Sequence, residues 1–150
     1  MCNPALIAFI PAAVGAIGQA SQGAANEQAA ARDAAIGDLQ ARDALARGGM
    51  EEERYRRQVA RLLGTQKAAI GARNVRTSGT ALDLLADTAQ IGEEDALTIR
   101  NDAAREAWGY RAGADESRRW GRGARRAGNI GAGGSLLTGA ADAYGVWKAA

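Results

Sequence analysis

Residues 81–113, ALDLLADTAQIGEEDALTIRNDAAREAWGYRAG, decide how this chain folds. Leu82, Leu85, Ala89, Gly92, Ala96, Ile99 and Ala103 recur in alternating steps of three and four. Residues at those steps share one face of an α-helix, and an unbroken run of them forms a heptad seam. Four of the seven are Ala or Gly, so a partner helix on this face comes close.

The partner stands just upstream, in MEEERYRRQVARLLGTQKAAIGARN (50–74). Tyr55, Val59, Leu62, Leu63, Gln66 and Ile70 mark one face of a second helix. Glu51, Glu52 and Glu53 are expected at its start, where the helix dipole favours acids. NVRTSGT (74–80) reads as a turn, with Thr80 as N-cap and Asp83 three residues on. A connection this short favours an antiparallel hairpin. Charge agrees: residues 54–76 carry seven basic side chains and no acid, whereas 80–106 carry two basic and seven acidic ones. Opposite charge on adjacent arms steers their pairing.

Outward from the hairpin the chain stays helix-compatible. Both prolines, Pro4 and Pro11, precede residue 12, and Ala favours helices as strongly as proline breaks them. Residues 27–49 are an Ala-rich helix with a thin stripe of Ala29, Ile36, Leu39 and Leu45. Gly48-Gly49 marks a break or kink, with a continuous helix as the alternative. Residues 111–126 are basic, and 127–150 are glycine-rich and then apolar, with a short helix from Ser135 to about Trp147. The sequence thus predicts one all-α domain, with an apolar segment at 1–26, an Ala-rich helix at 27–49, a long hairpin at 50–126 and a tail at 127–150. It also predicts an oligomer. Hydrophobic residues make up 47% of the chain but aromatics only 5%, and buried Ala contributes little hydrophobic free energy.

Chemistry is sparsely represented. There is no His, which removes His-based triads, His metal ligands and a His pH switch. Cys2, the single cysteine, has no internal disulfide partner and is expected to be a passive thiol. Glu93, Glu94, Asp95, Asp102 and Glu106 read as a solvated helix face. GNIGAGG (128–134) follows a basic helix, lacks the GK[ST] ending and is not a phosphate loop. No cofactor, metal or enzymatic activity is expected. RRWGRGARR (118–126) is the better binding candidate. Arg118, Arg119, Arg122, Arg125 and Arg126 around Trp120 suit phosphates of nucleic acid or lipid, or an acidic partner. On a helix, 118, 122, 125 and 126 share a face. No base-reading motif accompanies them.

Residues 3–26 carry no charge, yet only Leu6, Ile7, Phe9, Ile10, Val14 and Ile17 are strongly apolar. A secretory signal has a basic region before its apolar run; the first cation here is Arg32, so that reading is set aside. A membrane span needs about 20 predominantly apolar residues, and as a lone helix this one is marginal. Ala12, Ala16, Ala20 and Ala24 repeat every fourth position, a face for close helix contact. Three readings stay open: a helix buried in a soluble oligomer, a segment that enters a membrane only within an assembly, and an amphiphilic or disordered tail. Tyr144 and Trp147 beside Lys148 suit either a membrane interface or a closed helix pair.

MCNP (1–4), YRRQVARLLGTQKAAIGARNV (55–75), SGTALDLLADTAQIGEEDALTIRNDAAREAWGYRAGA (78–114) and GAGGSLLTGA (131–140) occur in this order. In these segments the chain resembles the small internal virion (ejection) proteins of short-tailed bacteriophages. The resemblance covers almost the whole chain and is strongest over 54–114. It implies a non-enzymatic protein stored in the capsid near the portal and ejected to help build a DNA-translocation channel across the host envelope, at the outer membrane. The implied partners are further copies in a ring, larger ejection proteins, portal or tail proteins and the host outer membrane, with non-specific contact to phage DNA. In that setting Leu6, Ile7, Phe9, Ile10, Val14 and Ile17 face lipid. Val59, Leu62, Leu63, Ile70, Leu82, Leu85, Ala89, Gly92, Ala96 and Ile99 form the seam of the hairpin or of the oligomer. The arginines meet phosphates or a larger partner. The rival expectation is a purely structural helical adaptor at the portal or tail, with no membrane role.

Overall fold

Nothing in the backbone chemistry interrupts a helix between residue 12 and Ala72, or again between residue 80 and Ala149. A computed structural model of the chain accordingly contains two long α-helices packed against each other as a hairpin, α1 (Pro4–Ala72) and α2 (Thr80–Ala149). The structure describes residues 4–73 and 79–149, with side chains over 10–73 and 79–148. Among the described residues there is no strand.

Gly79 opens α2. It has φ 63°, the left-handed region that glycine enters without steric penalty. Its carbonyl accepts the N–H groups of Leu82 (2.9 Å) and Asp83 (3.1 Å), so Gly79 takes the capping role expected of Thr80, which is the first helical residue. Asp83 lies in the first turn, where its charge suits the helix dipole. Three other expectations are corrected. Gly48-Gly49 does not break α1, Ser135 does not begin a helix, and Glu51–Glu53 lie inside α1 rather than at its start. The Ala-rich segment, the hairpin arms and the glycine-rich tail are stretches of two continuous helices.

The contacts divide the chain into two units: a first of Met1–Gly37 with Ala112–Ala150, and a second of Asp38–Arg111. In the second unit the covered positions of α1 from Ala41 onward are 41, 44, 48, 52, 55, 59, 63, 66 and 70. Those of α2 include 85, 88, 92, 96, 99, 103, 107 and 110. The steps run three, four, four, so the pattern returns every eleven residues, or three helical turns. Gly48 lies against Ala103; eleven residues along α1, Val59 lies against Gly92, eleven residues back along α2. This period explains three departures from the expected seam. Leu62, Leu82 and Ala89 are exposed, because a seven-residue repeat falls behind an eleven-residue one by about a third of a position per heptad; Leu63, already expected on the seam, is covered, and Ala81 and Thr88 are covered in place of Leu82 and Ala89. Val59, Leu63, Ile70, Leu85, Gly92, Ala96 and Ile99 lie on the seam.

In the first unit the period is seven. Ala16, Gly23, Ala30 and Gly37 are buried along α1, and Ala114 and Gly121 along α2, with Gly128 half-buried seven residues further on. Ala30 lies against Gly121, and Gly23 against Gly128, where backbone meets backbone. Among the described residues the buried apolar side chains of both units are Ala, apart from Leu85. Each buried methyl contributes about 0.8 kcal/mol, so close helix approach replaces bulky side chains as the source of cohesion.

Candidate functional site

The described large apolar side chains of the first unit point outward because its seam is filled by Ala and Gly. On α1, Ile10, Val14 and Ile17 follow at steps of four and three, and Ile17 is 71% exposed. On α2, Ile130, Leu137 and Tyr144 follow at steps of seven, with Ile130 76% and Leu137 75% exposed. Between Pro4 and Asn26, and again between Ala127 and Ala141, there is no charged residue. Of the six residues expected to face lipid, Ile10, Val14 and Ile17 are outward-facing; the side chains of Leu6, Ile7 and Phe9 lie outside the described residues. Among the described residues no helix is long and apolar enough to cross a membrane.

The arginine segment divides by partner. Arg125 donates from Nη1 to Glu27 Oε2 across the helices at 2.7 Å. Arg118, half-buried, donates to Asp115 Oδ1 at 2.7 Å. Arg119, Arg122 and Arg126 are exposed. Trp120 borders a groove with Ala30, Asp33, Glu116 and Ser117. GNIGAGG lies within α2, and its Gly128 and Gly131 abut Gln19 of α1, so these glycines serve helix contact rather than a loop.

In the second unit several carboxylates are engaged along and across the helices. Arg56 donates to both oxygens of Glu93, at 2.6 and 3.2 Å, and also contacts Glu52 at 3.1 Å. Glu52 is the one buried charged residue among those described. The neighbouring carboxylates hold the Arg56 proton more firmly than usual, Glu93 above all. Arg47 bridges Asp43 and Glu106, which raise its pKa in the same way. Tyr55 donates its phenolic O–H to Asp95 at 2.6 Å, which pushes its pKa up. Asp102 pairs with Arg105, and Glu94 accepts from Gln90. Among the described residues no group of His, Cys, Asp or Glu is placed to hold a metal ion.

The sequence did not reveal how the arginines separate, because Glu27 and Arg125 stand 98 positions apart. Nor did it single out Ile130 and Leu137, whose spacing of seven was the only available signal. No family model, curated protein or solved structure matches the chain.

Proposed function

We propose that this chain is a non-enzymatic internal virion protein of a short-tailed bacteriophage, stored near the portal and ejected to help form a DNA-translocation channel across the host envelope. The resemblance over residues 54–114 supplies the family. The structural observation that supports a membrane-contacting role is the first unit, where two charge-free helical stretches turn large apolar side chains away from each other and into solvent. Exposed apolar patches of this kind are typical of protein or membrane contact surfaces.

In this reading the hairpins assemble side by side into a ring, alone or with larger ejection proteins. Ile10, Val14, Ile17, Ile130 and Leu137 lie against neighbouring copies in the particle and against lipid at the outer membrane. A segment of moderate apolarity suits both settings, since a strongly apolar one would aggregate before release. The second unit, with its cross-helix ion pairs, keeps the arms in register.

Flotation with liposomes tests this. The full chain should float, and Val14→Asn with Ile17→Asn should float markedly less while keeping wild-type helicity, because both side chains are off the seam. If the full chain stays in the dense fraction even at concentrations where it oligomerises, the structural-adaptor reading replaces this one. The exposed Trp108, in a shallow groove with Asn101, Ala104 and Arg105, is the feature that favours a protein partner.

A further inference from the structure

One stripe of α2 in the first unit changes character along its length. Arg119, Arg122, Arg126, Ile130, Leu137 and Tyr144 follow at helical steps of three, four or seven, and all are exposed. They stand on the face turned away from the seam positions Gly121, Gly128 and Gly139. The three cations come first, over about 10 Å of helix, and the apolar residues follow over about 21 Å. Among the described residues the three arginines make no ion pair.

The nearby carboxylates do not neutralise them. Glu27 is held by Arg125, and Asp115 by Arg118. Glu116 lines the groove beside Trp120, and Asp142 lines one beside Pro11 and Ala12. On α1 the residues before Glu27 carry no charge at all. The Arg125–Glu27 pair therefore marks a boundary in this unit, with cations that make no ion pair beside it and, beyond, no charge on α1 before Glu27 or on α2 from Ala127 to Ala141.

A helix that lies flat on a bilayer sorts its cations and apolar residues around its circumference. Here the sorting is lengthwise, the order met on passing from phosphate headgroups into acyl chains. We infer that Arg119, Arg122 and Arg126 form a shelf for the phosphates of anionic lipid headgroups, which sets how deep the uncharged part of the first unit enters a membrane. Arginine suits this role because its planar guanidinium pairs two donors with two phosphate oxygens.

This inference rests on the membrane-contacting role proposed above, and the test separates the two. The full chain is floated with vesicles of phosphatidylcholine alone and of phosphatidylcholine with phosphatidylglycerol, at low and high salt. It is compared with the triple variant Arg119→Gln, Arg122→Gln, Arg126→Gln, which retains helix-favouring residues. At about 1 kcal/mol per cation, phosphatidylglycerol should raise the wild-type partition coefficient on the order of 100-fold at low salt. The triple variant should lose that gain while partitioning into phosphatidylcholine unchanged, with wild-type helicity. Equal partitioning of wild type and variant on anionic vesicles overturns the shelf and leaves the membrane role standing. Failure of the wild type to float on either vesicle overturns the membrane role, and the shelf with it. A loss confined to binding of duplex DNA, with vesicle partitioning intact, also overturns the shelf and assigns the arginines to nucleic acid.

Discussion

Val59 and Gly92 face each other so closely that a methyl group added at Gly92 would fall 2.5 Å from Val59 Cγ1. We expect Gly92→Ala to destabilise the hairpin by about 1–2 kcal/mol, since overpacking outweighs the gain in helix propensity. Val59→Ala introduced into Gly92→Ala should restore stability, because the intruding methyl then occupies the space the valine vacates. Urea denaturation followed by circular dichroism of both variants measures the compensation.

Glycines elsewhere should respond in opposite ways. A Cβ at Gly128 would lie 2.7 Å from the backbone oxygen of Gln19 and 3.0 Å from the Cα of Gly23, atoms that move only if the helices part. Gly128→Ala should cost about 3 kcal/mol or more, at the upper end of overpacking losses. Gly109, Gly113 and Gly133 have open space around the same position. Their replacement by Ala should stabilise by about 0.5–1 kcal/mol each, as expected for exposed helix interiors. Thermal melts would check both signs.

The Tyr55–Asp95 hydrogen bond gives a pH dependence with a definite sign. The bond holds the phenolic proton, so the folded pKa lies above the ordinary value of about 10, with desolvation and the carboxylate charge acting in the same direction. Its stabilising contribution is complete below that ordinary value and disappears as the pH climbs through the raised one. Tyr55→Phe should remove this alkaline component from the stability profile. Phenolate absorbance of wild type minus variant should show the Tyr55 transition displaced upward.

Arg56 holds Glu52 and Glu93 together, whereas Arg57 reaches only Glu53, an exposed residue one turn earlier. Arg56→Gln should lower the thermal midpoint more than Arg57→Gln, since it strips a buried carboxylate of its ion-pair partner. High salt should narrow the gap between wild type and Arg56→Gln by screening the exposed part of the cluster.

The hairpin was legible because apolar residues from Tyr55 to Ile70 and from Leu85 to Ala103 carry a helical period on either side of a Gly-containing turn. The precise seam was not. Ala89 and Thr88 differ by one position, and only the accumulated eleven-residue period decides between them. Gly48 and Gly128 were misleading for a physical reason. A glycine weakens an isolated helix by about 1 kcal/mol, yet permits an approach that side chains would forbid, and that gain exists only when the partner is in place. The arginine segment was recognisable by composition, but its division into paired and unpaired members depends on Glu27, which belongs to the other helix.

The two repeat lengths have a consequence for sliding. Displace α2 along α1 by seven residues and the covered positions of the first unit largely meet covered positions again, whereas in the second unit one in three is lost, as where 44 and 55 give way to the exposed 51 and 62. Displace it by eleven and the first unit becomes the one that matches only in part, with 20 and 114 giving way to the exposed 31 and 125. Both are satisfied together only after seven times eleven, or seventy-seven, residues, which exceeds the 69 residues of α1 and the 70 of α2. The repeats work as the two scales of a vernier that coincide once, so a seam whose buried positions are mostly Ala and Gly still specifies a single alignment.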